Sequence, residues 1–355
     1  MIELIKYEDK ERWNKTISKF LKADTYYCCE YAVSILKNET GIPYLLHYCA
    51  ENVELAYVII EKDISSFSGF ENKLDVNKYY DWNTPYGYGG PVANKERLSF
   101  IEQQQFYEEL FELAKSRNVV SQFVRFHPLL QNQDVCFDVI ENKYVKDTIY
   151  INLETEDDLM LQMDSKNRNL IRKAMKNNVH IVHDKGNNLQ EFIDIYEETM
   201  KRDNARSFYY FPKEYYKFLI NNLSEQTEFF YAIKDGEIIA SSIFFYTQSS
   251  IHYHLSGSSF EGRKFAPTNL LLYEAANWGR LLGCKQMHLG GGVGIEDGLF
   301  HFKKQFNKNG RIPFYIGRNI FLPKEYNELL ELRKKLEPSF NIENDYYIQY
   351  RAPKE

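Results

Sequence analysis

The sequence predicts an α/β protein of two domains, each built on a mixed sheet. One order of elements, hairpin, strand, helix, strand, occurs twice along 355 residues. Within each copy the hydrophobic spacing changes from the two-residue period of a strand to the 3.6-residue period of a helix. The length also leaves room for two cores.

The first copy opens with YLLHYCAENVELAYVIIEK (44–62), two strands about a polar turn at Glu51-Asn52. The second opens with FFYAIKDGEIIASSIFFY (229–246), where Asp235-Gly236 is the turn pair that a tight hairpin selects. More strand-like sequence follows each hairpin, NKYYDWNTPYGYGGPV in one and SIHYHLSGSS in the other. A helix comes next. Over 95–117, Phe100, Phe106, Leu110 and Leu113 mark one face; over 267–283, Pro267 suits the first turn and Gly283 the end. VVSQFVRF (119–126) and KQMHLGG (285–291) close the copies as short strands. Between the copies, VKDTIYINLETEDD (145–158) ends a strand, and Thr155 with Asp158 reads as a capping box for a new helix. The expected domains are therefore 1–150 and 151–355.

Composition narrows the function classes. With 44% hydrophobic and 26% charged residues the chain reads as a soluble globular protein, and 28 tyrosines with 25 phenylalanines predict aromatic core and cleft walls. A net charge of −6 argues against DNA binding and leaves only a local basic patch for anionic partners. The first residues, MIELIKYEDKERWN, carry charge from residue 3 and read as no signal peptide; apolar runs such as AYVII (56–60) are too short for a transmembrane segment. Five cysteines without C-x-x-C spacing read as reduced thiols, so a cytoplasmic protein is expected.

Several stretches could carry chemistry. GGGVGIEDGLFHFKKQF (290–306) is glycine-rich, yet it satisfies neither the dinucleotide fingerprint nor the P-loop. SKNRNLIRKAMKNNV (165–179) is the most basic segment. Ser165 can cap it, Leu170, Ile171, Ala174 and Met175 form a stripe, and Arg168 and Arg172 share a face. It is either a solvated helix face or an anion site, because arginine forks match phosphate oxygens. MKRDNARSFYYF (200–211) sets Arg202 beside aromatics, as a nucleotide or sugar contact or as a plain helix end. TPYGYGGP (84–91) is a loop of fixed shape offering Tyr86 and Tyr88 as flat walls. His252 and His254 share a strand face without a third ligand nearby, and no serine, cysteine or metal mechanism is expected.

Three of these motifs together resemble the FemABX-type branch of the GNAT acyltransferase superfamily: SKNRNLIRKAMKNNV, PYGYGGP, and APTNLLLYEAANWGRLLGCKQMHLGGGVG with the DGLFHFKKQF that follows. That branch includes enzymes that add amino acids from aminoacyl-tRNA to peptidoglycan precursors, and acyltransferases of envelope polysaccharides. The resemblance covers most of the chain, most specifically 150–320. It implies two GNAT-like domains, each a mixed, mostly antiparallel sheet flanked by helices.

It also implies roles. The family carries an F-K element in the cleft, matched by Phe302-Lys303 with Lys304 beside it, where a cation stabilises the oxyanion of acyl transfer. Gly291 and Gly292 would let backbone approach the acceptor, and Asp297 (or Glu296) would take the amine proton. Lys166, Arg168 and Arg202 would hold substrate phosphates. No tightly bound cofactor or metal is implied; the donor is aminoacyl-tRNA or acyl-CoA, and the acceptor a phosphate-bearing envelope precursor. Two departures matter. RKFAPT (263–268) lacks the central glycine of the CoA-cradling loop, and Pro267 removes an N–H from it. Around YYCCEYAVSILK (26–37) the tryptophan that contacts the muramyl precursor is missing. The expected function is thus aminoacyl transfer to an envelope-precursor amine. The alternatives are acyl-CoA-dependent N-acylation of an amino sugar of a surface polysaccharide, or a non-catalytic binding protein.

Overall fold

A computed structural model describes residues 1–70 and 73–353, which divide into two compact units: 1–145 with 314–355, and 146–313.

The first unit begins with β1 (Ile2–Lys6), α1 (Lys10–Ile17) and α2 (Cys29–Ile35), followed by β2 (Ile42–Cys49), β3 (Glu54–Asp63), β4 (Tyr80–Asn83) and β5 (Val92–Ala93). Next come α3 (Phe100–Ser116) and β6 (Val119–Arg125), and the unit boundary then falls within β7 (Glu141–Asn152). The second unit continues with α4 (Ser165–Lys176), β8 (His180–Asp184), α5 (Leu189–Arg202) and α6 (Lys213–Asn222). After these run β9 (Thr227–Lys234), β10 (Glu237–Tyr246), β11 (Ser250–Ser258), α7 (Pro267–Leu281), β12 (Gln286–Gly290) and α8 (Gly298–Lys304). Finally β13 (Arg311–Ile320) and α9 (Pro323–Leu336) lead back into the first unit.

The duplicated plan is present. In the first unit β1, β2, β3 and β4 pair antiparallel, and α3 then carries the chain to β6, which lies parallel to β4. In the second unit β8, β9, β10 and β11 pair antiparallel, and α7 carries the chain to β12, parallel to β11. In each unit the strand pairing is mixed and mostly antiparallel. Asp235 and Gly236 hold φ of 52° and 87°, the left-handed pair that a two-residue hairpin needs.

Helix signals were partly displaced. Ser99 and Glu102 form a full capping box on α3, so Phe100 becomes the first helical residue and is 62% exposed. Its buried stripe is Gln103, Phe106, Leu110 and Ala114. Pro267 opens α7, and Gly283 follows it at φ 83°. Thr155 caps no helix: its hydroxyl accepts from Asp157 N, and Asp158 caps only a short 3-10 turn, Leu159–Gln162. Ser165 is the first residue of α4 rather than its cap, that position being Asp164. Ile171 and Ala174 are buried while Met175 is exposed.

The expected domains 1–150 and 151–355 differ from the observed units in the last segment. Strand β13 pairs antiparallel with β6, Ile316 opposite Arg125 through Ile320 opposite Ser121. Tyr326, Leu329 and Leu330 of α9 share a core with Ile64, Phe70 and Val120. Residues 314–355 therefore complete the first unit. Among the described residues no helix is long and apolar enough to cross a membrane.

Candidate active site

The glycine run is explained by its own acid. Strand β12 ends at Gly290 with φ of 73°, and the chain turns toward α8. The Asp297 carboxylate caps α8 by accepting from Phe300 N at 2.8 Å and ties down the turn by accepting from Gly294 N at 2.7 Å. A Cβ on Gly292 would stand 2.0 Å from Asp297 Oδ1, and one on Gly291 would stand 3.0 Å from the Asp147 carbonyl. Glycine is needed there because a side chain fills the space. Gly292→Ala is accordingly expected to push the carboxylate off its cap at a cost of ~1–2 kcal/mol. A thermal melt checks this, and an unchanged Tm would refute the packing account.

Two lysines face the carbonyls of this turn. Lys146 Nζ donates to Gly292 O at 2.5 Å and to Val293 O at 2.9 Å. Lys303 Nζ donates to Gly291 O at 2.7 Å and lies 5.7 Å from the centre of the Tyr253 ring. Only 8% of Lys303 is exposed. Burial, reinforced by the charge of Lys146 and only partly offset by Asp297, brings its pKa down to about 7. The ammonium is thus fixed, poorly hydrated and able to lose its proton near neutrality. It can donate to a developing oxyanion when protonated, or accept a proton when neutral.

Its neighbours are less suited to proton transfer. Burial works to raise the Asp297 pKa, but the N–H groups of Phe300, Gly294 and Val293, with Lys146, outweigh it and hold the carboxyl below its usual value. Glu296 is paired with Arg311 at 2.7 Å, and Arg311 also reaches Asp147 at 3.0 Å. The Lys304 side chain is half-buried with no hydrogen bond or ion pair among the described residues. The Tyr253 hydroxyl bonds with Ser242 and Ser256, and burial pushes it up to about 12.

Residues 165–304, from the start of α4 to the end of α8, match the family model described as an acetyltransferase (GNAT) domain. No curated protein matches the chain in sequence. Among solved structures, that of FemX shares 14% identity at a TM-score of 0.66, over 92% of this chain and 99% of that one. L-PGS from Bacillus licheniformis shares 12% at 0.55, over 95% and 98%. The C-terminal domain of a putative lysylphosphatidylglycerol synthetase from Agrobacterium fabrum shares 13% at 0.54, over 88% and 91%. The FemABX-type resemblance thus holds in the fold.

The expected anion residues are dispersed in their contacts. Lys166 is exposed at the start of α4. Arg168 donates to the Met163 carbonyl at 2.6 Å. Arg202 donates to Ser258 O at 3.0 Å and Thr199 Oγ1 at 3.2 Å, with Glu198 and Asp203 at 3.7 and 3.6 Å, so much of its fork holds α5 to β11. Helix α4 is seated by Asn167, buried, which accepts from Asn269 Nδ2 at 2.7 Å. Ala266, at φ 57°, and Pro267 occupy the turn before α7, so it lacks both the glycine and the N–H of a CoA cradle.

Tyr86 and Tyr88 belong to the first unit. The Tyr86 carbonyl accepts from Tyr31 Oη at 2.6 Å, and Tyr88 packs edge-on against Tyr26, His127 and Phe314 at 5.5, 5.6 and 5.7 Å. Asn132 Nδ2 ties the same loop through Gly89 O at 2.8 Å and Pro91 O at 3.0 Å, giving it the fixed shape expected.

Lys146 and Tyr253 were not legible as site residues. Lys146 lies in a strand-like run 146 positions from Gly292, and Tyr253 sits unremarked between two histidines. His254, the more conspicuous of that pair, is a packed group: it meets Tyr215 Oη at 2.7 Å, and burial with nearby His252 lowers its pKa to about 3.

Proposed function

We propose that the chain transfers an acyl group, specifically an aminoacyl group from aminoacyl-tRNA, to an amine of a phosphate-bearing cell-envelope precursor. The fold likeness to FemX and to L-PGS supports this class, and the site observation that carries it is Lys303: a buried, hydrogen-bonded ammonium beside a glycine turn in the GNAT domain. The acceptor's neutral amine attacks the ester carbonyl, the C=O electron pair moves onto oxygen, and Lys303 donates to that oxyanion. Collapse re-forms the carbonyl and expels the tRNA 3′-terminal ribose hydroxyl, while the amine's proton leaves to solvent or to the departing oxygen. Lys166, Arg168 and Arg202 are the candidates for holding phosphate, and Lys166, the exposed one, is the first choice.

Acyl-CoA is the second donor considered, because the matched domain is described as an acetyltransferase; Ala266 and Pro267 weigh against it. Incubating the purified protein with charged tRNA or with acetyl-CoA, each against muramyl-peptide and amino-sugar nucleotide acceptors, separates the two. Transfer from charged tRNA is expected. Transfer from acetyl-CoA alone would replace the donor, and none from either to any acceptor would overturn the function.

A further inference from the structure

The second unit carries another concavity that shares no residue with the Lys303 site. A groove of about 410 Å³ is lined by Glu274, Trp278 and Leu281 of α7, Ile181 and His183 of β8, and Phe230 of β9, among others. The helix stripe facing it runs Leu270, Glu274, Asn277, Trp278 and Leu281, one face of α7 by spacing. A stripe whose only task was packing would be apolar throughout, yet an acid stands in the middle of this one.

That acid lacks a counter-ion. Glu274 is half-buried, its carboxylate makes no hydrogen bond or ion pair among the described residues, and burial alone raises its pKa above the usual carboxylate value. Three basic side chains beside the groove have partners other than Glu274. His183 Nδ1 meets Glu228 Oε1 at 2.7 Å, and Lys185 meets Glu228 Oε2 at 2.7 Å. Arg280 donates to the Asp157 carbonyl at 2.8 Å and to Asn277 Oδ1 at 3.2 Å.

The aromatic wall is ordered by its own contacts. The Trp278 ring stands 4.9 Å from Tyr246, 5.4 Å from Phe230 and 5.6 Å from His183, which in turn stacks on Phe230 at 4.9 Å. An indole face beside a carboxylate attracts a positive charge twice over, through the ring quadrupole and through the anion. A neutral occupant would strip water from Glu274 without replacing it, and an anion would be repelled. Leu281, 85% exposed, and Met175, 41% exposed, border the groove and would be covered by an aliphatic chain.

We propose that this groove binds an organic ammonium ion with a short aliphatic chain, its charge between Glu274 and Trp278 and its chain along Ile181, Phe230 and Leu281. This holds independently of which acyl group the enzyme transfers. The test uses tryptophan fluorescence of the full chain. Trp13 and Trp82 are fully buried, so of the three tryptophans Trp278 reports on solvent-side ligands. Titration with n-hexylammonium is expected to give a saturable change, with n-hexanol binding at least about fivefold more weakly. Glu274→Gln, at a half-exposed position that leaves the core intact, should lose that discrimination while keeping its melting temperature. Trp278→Leu should abolish the signal, with calorimetry then showing weaker hexylammonium binding. No saturable change, equal affinity for the alcohol and the ammonium, or full affinity in Glu274→Gln would each overturn the site.

Discussion

Lys303→Ala should lower turnover about a hundred- to thousandfold, the usual loss when one preorganised oxyanion donor is removed, while acceptor binding changes little. Lys304→Ala should have a small effect, since the Lys304 side chain is half-buried and makes no hydrogen bond or ion pair among the described residues. The wild-type kcat profile should fall as pH rises through about 7, where Lys303 loses its proton, and that limb should be missing from the Lys303→Ala profile. Stability should move the other way. Folded Lys303 titrates near 7 and an unfolded lysine near 10.5, so its burial penalty is full below pH 7 and is relieved between the two values. Lys303→Met is therefore expected to raise Tm at pH 6 to 7, with the gain shrinking toward pH 10. A variant that is stabilised and inactive separates catalysis from folding. Unimpaired transfer in Lys303→Ala and in the double mutant with Lys304→Ala would make the glycine–lysine turn purely structural.

Asp81→Asn is expected to cost the first unit ~3–5 kcal/mol, the loss typical of breaking a buried ion pair from one side. Asp81 is 1% exposed. It accepts from Tyr350 Oη at 2.5 Å, Ser121 Oγ at 2.8 Å and Arg351 Nε at 2.8 Å, and lies 2.7 Å from a second Arg351 nitrogen. Asparagine offers one acceptor oxygen and an NH₂ that faces other donors, so Arg351 keeps its charge and loses its counter-ion. Urea denaturation gives the size of the effect, and limited proteolysis should show early release of the tail after Glu337. A loss below ~1 kcal/mol would mean that solvent readily replaces the carboxylate.

Local signals were read well. Asp235-Gly236 and Pro267 each specify backbone geometry within a few residues, and each stands where the sequence placed it, whereas the Ser99 to Glu102 box was not read and moves the start of α3 to Phe100. The return of β13 to β6 has no such signature, because Ile316 and Arg125 are brought together only by tertiary pairing. The site divides along the same line. Lys303 was visible as a cation after a glycine run, and the structure buries it against Gly291. What brings its pKa to about 7 is its burial first and then the charge of Lys146, remote in sequence, and no spacing rule reports either. Asp297 was read, with Glu296 as the alternative, as the acceptor of the amine proton; its bonds from Phe300 and Gly294 N–H show it also as a cap and a clamp.

The return of residues 314–355 to the first unit bears on how the chain is born. A ribosome delivers the chain from the amino end, so all of 146–313 emerges before the strand that completes the first sheet. The second unit is contiguous and has its whole core in hand once Pro313 is out. The first must wait with one flank of β6 bare until β13 emerges, and with Asp81 lacking Tyr350 and Arg351 until those two residues leave the exit tunnel. The nascent protein therefore matures from the middle outward, and its earliest-made half is the last to close.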